Sequence, residues 1–362
     1  MTPAEIYAEG PSNGAVIGAG LLEASGESIA KQLAGPICTI ITDTNVASLF
    51  GDRLRASLSA AGFRPALIAI PPAERFKTLE QVGAICDQMI AAGLDRQSFV
   101  VGLGGGVIGD ISGFVAAIFH RGIPHVQIPT TLLAMVDSSI GGKTGVNTAA
   151  GKNLLGAIHP PLLVIDDVDV LRTLPQREFN QGFAEIIKHA IIADAEMFSE
   201  VARASGLRTV KIASETLAPL IQRNIEIKRT IVAEDEMDRT GQRALLNFGH
   251  TVGHAIERAG EYRQLLHGEA VSLGMVAACQ VSVKRAGLRK DEAEAVTNLL
   301  QRFDLPTRLP KDFPRQKIFD ALPFDKKFEH GKIRFVVTPK LGTACLSSDI
   351  IMQDIEEAVA QL

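Results

Sequence analysis

The sequence predicts an N-terminal α/β domain with a mostly parallel sheet, followed by a mostly α-helical C-terminal domain. In the first half, short β-rich runs alternate with amphipathic helical stretches, whereas long helical patterns dominate after Leu174 and Pro175. A chain of 362 residues also exceeds the size at which a single core usually keeps growing. We therefore expect two domains, 1–175 and 176–362, with the functional site in the cleft between them.

The strands and helices follow from apolar periodicity and turn signals. The N-terminal domain is predicted to have strands at 37–42, 66–70, 99–103, 125–129 and 162–165, with helices at 45–61, 79–92 and 109–119. The C-terminal domain is predicted to have helices at 178–193, 214–233, 247–258, 268–286 and 290–303, with strands at 333–338 and 343–346.

Composition excludes several classes of protein. The net charge is −4, and the lysines and arginines are scattered, so nucleic acid is not expected as a partner. The cysteines are isolated and show no C-x-x-C spacing, which argues against a cysteine metal site and suggests a reducing compartment; they are Cys38, Cys86, Cys279 and Cys345. The N-terminus lacks a signal-peptide pattern and no apolar run approaches membrane-spanning length, so we expect a cytoplasmic protein without a membrane partner.

A glycine-rich run at 104–109 (GGGVIG) directly follows a predicted strand and opens a helix. It satisfies G-x-G-x-x-G, in which glycines let the backbone approach a pyrophosphate and the helix N-terminus supplies amide donors. The usual ribose-binding carboxylate is missing, because no acidic residue lies between Asp110 and Asp137. Asp43, at the end of an earlier strand, could hold the ribose from the other side. The alternative is an ordinary tight βα turn.

A polar, glycine-rich segment at 129–156 suits a phosphate or a polyhydroxylated ligand. Lys143, Lys152 and Asn153 could supply charge-assisted and amide hydrogen bonds there. Gly-Gly-Lys-Thr at 141–144 superficially matches a P-loop, but residues 138–140 provide no glycine at the earlier position, so a nucleoside triphosphatase is rejected. The alternative is that these lysines lie on ordinary surface loops.

Three histidines form a candidate metal site. His250 and His254 lie one turn apart on a predicted helix, and His267 opens the next one. Neutral imidazole is a preferred ligand of zinc, although capping or packed polar residues would show the same spacing. Glu185, on a largely apolar helix, is a candidate anionic ligand. A buried ion pair with Lys188 is the alternative for Glu185.

These motifs together resemble the 3-dehydroquinate synthase family, in order from about Asp43 to Lys327. The resemblance rests on 104–110, 113–117, Arg121 with Gly122, 129–144, 151–153, 185–188 and 247–250 with His254 and His267. It implies a fold similar to iron-type polyol dehydrogenases, NAD and a divalent metal (zinc or cobalt) as cofactors, and a homodimer. The implied reaction converts 3-deoxy-D-arabino-heptulosonate 7-phosphate into 3-dehydroquinate and phosphate by transient oxidation, elimination, reduction, ring opening and an aldol step. This reaction belongs to the shikimate pathway of aromatic amino-acid biosynthesis.

The resemblance also implies individual roles. The metal ligands would be Glu185, His250 and His267, which leaves His254 as a substrate contact. NAD would be held by Asp43, Glu74, Lys77, Gly104, Gly105, Gly106, Asp110, Thr130 and Thr131, with Lys143, Thr173 and Glu178 near it. The substrate would be lined by Asp137, Lys152, Asn153, Lys188, Lys228, Arg243 and Asn247, with Arg121 reaching the phosphate across the dimer and Lys326 or Lys327 as a late contact.

Two departures from the family pattern affect packing around the substrate. Residues 157–161 (AIHPP) replace an expected aromatic and Gln, and His189 stands where a Tyr is common. Neither position is an implied ligand. Sister cyclases that make an inosose or a valiolone, an NAD-dependent polyol dehydrogenase and a non-catalytic protein of the same fold are the competing hypotheses.

Overall fold

A computed structural model describes residues 4–6, 14–204, 206–235, 241–322, 328–329 and 332–362. Internal contacts divide the chain into two compact units. The first comprises Met1–Leu174 with Ala213–Ile225, and the second comprises Pro175–Ile212 with Glu226–Leu362. The segment Ala213–Ile225, which the sequence assigns to the C-terminal domain, thus clusters with the first unit. The domain limits 1–175 and 176–362 stay a prediction.

The first unit is built on a mostly parallel sheet, as predicted. Seven of the described strands form it in the order β1-β2-β9-β6-β5-β3-β4, and only the β1–β2 pair is antiparallel. The five predicted strands are all present, one with the predicted ends and four with one or both ends displaced by one or two residues. The strands are β1 (Ala4–Ile6), β2 (Gly14–Gly18), β3 (Ile37–Asp43), β4 (Arg64–Ile70), β5 (Phe99–Gly104), β6 (His125–Pro129) and β9 (Leu163–Asp167).

Helices pack on this sheet through apolar stripes. In α4, Val82, Ile85 and Met89 are buried, and Thr78 caps the helix by accepting a hydrogen bond from the Gln81 amide at 3.2 Å. The predicted helix at 45–61 is interrupted by a π-helical turn. The helices are α1 (Leu21–Ala30), α2 (Thr44–Val46), α3 (Asp52–Ala60), α4 (Leu79–Ala91) and α5 (Gly106–Ile118), and the π-helical turn is Ala47–Gly51.

The polar, glycine-rich segment, for which no strand was predicted after 129, contains an antiparallel hairpin of β7 (Lys143–Thr148) and β8 (Gly151–Ile158). Glycines suit the close approach of these strands, since a Cβ on Gly156 would lie 2.0 Å from the Thr144 carbonyl oxygen. Glycines and lysines also lower the β-propensity of the segment, so it does not look like a strand pair in the sequence. The hairpin therefore gives Lys143, Lys152 and Asn153 a regular scaffold.

The second unit is mostly helical, as predicted. Among its described helices, α10 is buried along most of its length, and every residue from Gly268 to Cys279 is buried. None of the described helices combines the length and apolarity that a membrane crossing requires. The helices are α6 (Gln176–Ala193), α7 (Ala195–Arg203), α9 (His250–Ala259), α10 (His267–Arg285), α11 (Lys290–Arg302), α12 (Arg315–Ala321) and α13 (Met352–Ala360), while α8 (Ser214–Ala233) contributes to both units. The described residues of this unit also include two antiparallel strand pairs: β10 (Phe328–Glu329) with β11 (Lys332–Ile333), and β12 (Phe335–Lys340) with β13 (Thr343–Ser347).

Candidate functional site

Glu185, His250 and His267 converge in the second unit. Glu185 lies on α6, and the two histidines are the first residues of α9 and α10. Oε1 of Glu185 is 3.5 Å from Nε2 of His250 and 3.9 Å from Nε2 of His267. The three potential ligand atoms all lie within 4.8 Å of one another. Three separate helices thus bring one carboxylate and two imidazoles to a single point.

The chemistry of these donors fits a divalent metal ion. Glu185 is fully buried, and within the described part of the chain neither of its carboxylate oxygens makes a hydrogen bond of ordinary geometry. Nδ1 of His250 lies 3.2 Å from the Phe248 carbonyl oxygen, and Nδ1 of His267 lies 3.3 Å from Oε2 of Glu257. These acceptors favour a proton on each Nδ1, which leaves each Nε2 lone pair facing Glu185. A buried carboxylate and two such nitrogens form a suitable set of zinc or cobalt ligands.

The alternative for Glu185, an ion pair with Lys188, is also present in the structure. Nζ of Lys188 is in contact with Oε2 of Glu185, and both side chains are almost completely inaccessible. The pair engages Oε2, whereas both histidines approach Oε1. The two interpretations are therefore compatible, because the two oxygens of one carboxylate can serve different partners.

Two local features bring the histidines into place. Gly249 has φ +78°, and a Cβ there would lie 2.7 Å from Cγ of Met275, so glycine is required. This left-handed residue explains why α9 begins at His250 instead of the predicted 247. At the start of α10, Glu269 accepts a hydrogen bond from the Leu266 amide at 2.8 Å and binds Arg177 through both oxygens at 2.6 and 2.7 Å.

His254 occupies a different environment from His250. It is exposed, and its ring centroid lies 5.3 Å from that of His250 and 6.2 Å from that of His267. A second potential ligand group, His254 with Glu257 and His267, shares one imidazole with the first. The group with Glu185 is the more buried, and the role of His254 as a substrate contact stays a prediction.

The other predicted residues of the second unit lie on α6, α8 and the turn before α9. Arg243 and Lys228 are buried and Asn247 is half-buried. Burial raises the pKa of Glu178, and a hydrogen bond from Gln181 opposes that shift. Lys326 and Lys327 lie outside the described residues.

The glycine-rich turn of the first unit joins β5 to α5. Gly105 caps the helix and Gly106 is its first residue. A Cβ on Gly104 would lie 2.7 Å from the Ile108 side chain, so close strand–helix packing alone explains this glycine. The Thr130 amide donates to the Gly104 carbonyl at 3.0 Å, and Oγ1 of Thr131 accepts from the Ala134 amide at 3.1 Å.

Asp43 and Thr173 have local structural roles. Oδ1 of Asp43 accepts from the amides of Asn45 and Val46 at 2.8 and 3.0 Å, which caps α2. The Thr173 hydroxyl donates to the Val170 carbonyl at 3.0 Å. These bonds fix both side chains, and they neither support nor oppose contact with a nucleotide.

Lys77 connects two predicted groups of the first unit. Its buried ammonium contacts Oδ2 of Asp110 and donates to Oδ1 of Asn153 at 2.6 Å. Burial raises the pKa of Asp110, and the positive charge of Lys77 opposes that shift. Lys152 lies 3.9 Å from Glu74, and Asn147 bonds to both Glu74 and Asn153, so five of the predicted residues share one network. Outside it, Asp137 is half-buried in a π-helical turn, and Lys143 and Arg121 are exposed.

Sequence reasoning missed three residues that hold the predicted ones. Glu257 contacts His267, Gln181 contacts both Glu178 and the Gly268 amide, and Asn147 binds Glu74 and Asn153. The signal for Glu257 was its position one turn after His254 on the same helix. Nothing in the sequence pairs Asn147 with Glu74, which is 73 residues away.

Family profiles and curated relatives identify one family, and solved structures of related cyclases share its fold. Two family profiles match, described as 3-dehydroquinate synthase N-terminal at 67–181 and 3-dehydroquinate synthase C-terminal at 182–328. The 3-dehydroquinate synthase of Nostoc punctiforme is 44% identical over 342 residues, covering 92% of this chain and 93% of that protein. The solved 2-epi-5-epi-valiolone synthase ValA of Streptomyces hygroscopicus, with NAD+ and Zn2+ bound, has a TM-score of 0.88 at 30% identity and 98% coverage of both chains. A 2-deoxy-scyllo-inosose synthase complexed with carbaglucose-6-phosphate, NAD+ and Co2+ shares the fold at a TM-score of 0.88 and 24% identity, over 99% of this chain and 100% of that one.

Proposed function

Because this chain belongs to the 3-dehydroquinate synthase family, we propose that it converts 3-deoxy-D-arabino-heptulosonate 7-phosphate into 3-dehydroquinate and phosphate. The enzyme is an NAD- and metal-dependent carbon–oxygen lyase of the shikimate pathway. The structural observation that carries the proposal is the buried Glu185 carboxylate, whose Oε1 faces the Nε2 atoms of two imidazoles with oriented Nδ1 atoms. This arrangement supplies the metal-binding chemistry that the family reaction needs.

The metal ligands in this proposal are Glu185, His250 and His267. A bound zinc or cobalt ion supplies Lewis-acid polarisation of a substrate hydroxyl. The Phe248 carbonyl and the Glu257 carboxylate keep the imidazoles oriented, and Lys188 holds the second oxygen of Glu185. These three contacts therefore hold the proposed ligands in place.

The first unit binds NAD in this proposal. Bound NAD supplies the hydride acceptor for the oxidation and the hydride donor for the later reduction. The start of α5 offers backbone amides to the pyrophosphate, and Lys77 keeps Asp110 in place beside it. The proposed NAD residues are Asp43, Glu74, Lys77, Gly104, Gly105, Gly106, Asp110, Thr130 and Thr131, with Lys143, Thr173 and Glu178 nearby.

The substrate brings a carboxylate and a phosphate, and the chain offers cations for both. Lys228 and Arg243 are buried, which strengthens a charge-assisted hydrogen bond to an anionic group. In the elimination step the substrate phosphate acts as its own base, so the protein mainly positions groups and stabilises charge. The proposed substrate residues are Asp137, Lys152, Asn153, Lys188, Lys228, Arg243, Asn247, His254 and Arg121.

We further propose a homodimer that uses the outer edge of β8. In the described residues β8 pairs with β7 alone, and Leu154, Leu155 and Ile158 are exposed on it by 40% or more. An open edge strand with exposed apolar side chains is well suited to pairing with a second copy. Light scattering on the wild type and on Leu155→Lys tests this: a dimer that becomes a monomer is expected, and a wild-type monomer would refute it.

A cytoplasmic location is also part of the proposal. The four cysteines are free, and Cys38 and Cys279 are buried thiols, as in proteins of a reducing compartment. The acidic net charge gives no support for a nucleic-acid partner. Localisation of a tagged copy in the source cell would test this part.

The activity is tested with purified protein, NAD and zinc or cobalt. Supplying 3-deoxy-D-arabino-heptulosonate 7-phosphate should release phosphate and form 3-dehydroquinate without net accumulation of NADH. Absence of both products would refute the function. Faster turnover of glucose 6-phosphate or sedoheptulose 7-phosphate would indicate a sister cyclase, and NADH accumulation with a polyol would indicate a dehydrogenase.

A further inference from the structure

Asn147, in the β7–β8 hairpin, is bonded to residues from both predicted ligand groups of the first unit. Its Nδ2 donates to Oε1 of Glu74 at 2.8 Å, and its Oδ1 accepts from the Asn153 amide at 3.0 Å. Its own backbone amide donates to the Lys77 carbonyl at 2.8 Å. One side chain thus contacts the proposed NAD residues on one side and the proposed substrate residues on the other.

Asn153 needs such support. Its φ is +55°, in the left-handed region. Residues other than glycine adopt this region infrequently, and Asn is among those that tolerate it. Asn147 holds its backbone amide, and Lys77 holds its side-chain oxygen at 2.6 Å. Because Asn153 is exposed, these two bonds, and not burial, define the direction in which it presents its amide group.

Glu74 is fixed by the same side chain. It is half-buried in a short 3₁₀ turn and lines one surface cavity together with Thr78 and Asn147. Its Oε1 takes the hydrogen bond from Asn147 and lies 3.9 Å from the Lys152 ammonium. An amide is the side chain that suits this position, because it donates to a carboxylate and accepts from an amide at once.

We propose that Asn147 is a positioning residue that holds Glu74 for NAD and Asn153, with its neighbour Lys152, for the substrate. It touches neither ligand and acts through these residues. The inference rests on the proposed function, since it takes the two groups as NAD and substrate contacts. Removal of the Asn147 side chain should therefore weaken both NAD binding and substrate binding.

Three variants separate the two connections. Asn147→Ala removes both, and is expected to raise the NAD dissociation constant and the substrate KM by about tenfold each, with a smaller change in kcat. Asn147→Asp keeps the acceptor for Asn153 but loses the donor to Glu74, so NAD affinity should fall more than substrate KM rises. In the double variant Asn147→Asp with Glu74→Gln, the amide at 74 can donate to the carboxylate at 147, which restores the hydrogen bond in the opposite direction. It should therefore recover part of the NAD affinity relative to Asn147→Asp alone.

Thr148→Ala is the matched control. The Thr148 hydroxyl bonds within the hairpin turn, to the Gly151 carbonyl at 3.4 Å and from the Ala150 amide at 3.2 Å, and it serves neither Glu74 nor Asn153 in the described contacts. We expect Thr148→Ala to keep the wild-type NAD affinity and KM. Equal effects in Thr148→Ala and Asn147→Ala, or unchanged NAD affinity and KM in Asn147→Ala, would overturn the proposal.

The NAD measurement uses calorimetric titration and needs no turnover. Failure of the proposed function would appear in the wild type, as a protein that does not turn over the seven-carbon phosphate. Failure of the Asn147 proposal would appear only in the comparison of variants with the wild type. The two outcomes are therefore distinguishable.

Discussion

Nδ1 of His267 lies 3.3 Å from Oε2 of Glu257, a carboxylate ten residues earlier in the chain. The other imidazole of the site, His250, has its Nδ1 facing a neutral backbone carbonyl at 3.2 Å. A carboxylate partner raises the basicity of an imidazole more than a carbonyl does and fixes its tautomer. His267 thus depends on the Glu257 side chain for its orientation.

Substitution of Glu257 is expected to weaken metal binding without removing a ligand. Glu257→Ala should lower the affinity for zinc or cobalt by about 10- to 100-fold, because His267 loses its orienting acceptor. Glu257→Gln, which keeps one oxygen acceptor, should show the smaller loss. Competition with a chelating dye measures the affinity, and the visible spectrum of the cobalt form reports on the coordination geometry.

Glu261→Gln is the control for Glu257. Glu261 is exposed and pairs with Lys317 at 3.3 Å, away from both imidazoles. Exposed pairs contribute about 0–1 kcal/mol, so neither metal affinity nor stability should change appreciably. Wild-type metal affinity in Glu257→Ala would contradict the orienting role.

His250 and His254 should behave differently when replaced. His250→Ala is expected to lose the metal, because it removes a nitrogen that faces Glu185 at 3.5 Å. His254→Ala should retain the metal and lose turnover, because its exposed ring contacts the substrate in our assignment. Elemental analysis after dialysis, together with circular dichroism to verify folding, decides between them. Metal loss in His254→Ala with metal retained in His250→Ala would reverse the assignment in favour of the ligand group that contains His254, and equal metal loss in both variants would overturn the division of roles.

The sequence predicted the sheet and most helices because their signals are local. Parallel strands such as Phe99–Gly104 are continuous apolar runs, and α4 shows its buried stripe as a regular spacing of apolar residues. The β7–β8 hairpin was missed because its glycines, which permit close strand contact, also remove the alternation that marks a strand. Likewise, α9 begins later than predicted because the left-handed Gly249 leaves no signal in apolar periodicity.

The residues of the candidate metal site were predictable from the sequence, whereas the contacts that support them were not. Glu185 was notable as a carboxylate on an apolar helix, and the histidines were notable by spacing. Its supporting contacts join residues far apart in sequence, such as Asn147 with Glu74, and only the tertiary fold brings them together. One of the two departures from the family pattern, the segment 157–161, forms specific contacts in the structure. The ring of His159 stacks on that of His125 with their centroids 5.1 Å apart, and its Nε2 lies 2.9 Å from the Ile123 carbonyl oxygen.

The Lys77–Asp110 pair should contribute separately to stability and to NAD binding. Lys77→Met leaves the Asp110 carboxylate, whose side chain is 19% exposed, without its cation. Breaking such a pair costs about 3 kcal/mol, and NAD affinity should fall as well. The double variant Lys77→Met with Asp110→Asn removes the unpaired charge, so stability should recover while NAD affinity stays low. Chemical denaturation and calorimetric titration measure the two effects, and recovery of NAD affinity in the double variant would contradict a direct role for Lys77 or Asp110.

The buried His125 should make stability depend on pH. Burial lowers its pKa from 6.5 to about 3, and the neighbouring His159 adds to the shift. The unfolded chain therefore takes up a proton as pH falls through 6.5, whereas the folded chain does so only near pH 3. The contribution to stability is fully present above pH 6.5 and is lost towards pH 3, with a slope of up to about 1.4 kcal/mol per pH unit.

His125→Phe tests this dependence because it keeps an aromatic ring of similar size in β6 and removes the titrating group. Between pH 7.5 and 5.0 the wild type should lose about 2 kcal/mol more of its unfolding free energy than the variant does. Urea unfolding at both pH values measures the difference. The interval from pH 7.5 to 8.5 is the internal control. His125 is neutral there in both the folded and the unfolded chain, so the unfolding free energies of the wild type and the variant should change with pH in the same way. Parallel curves down to pH 5.0 would show that His125 accepts a proton in the folded protein.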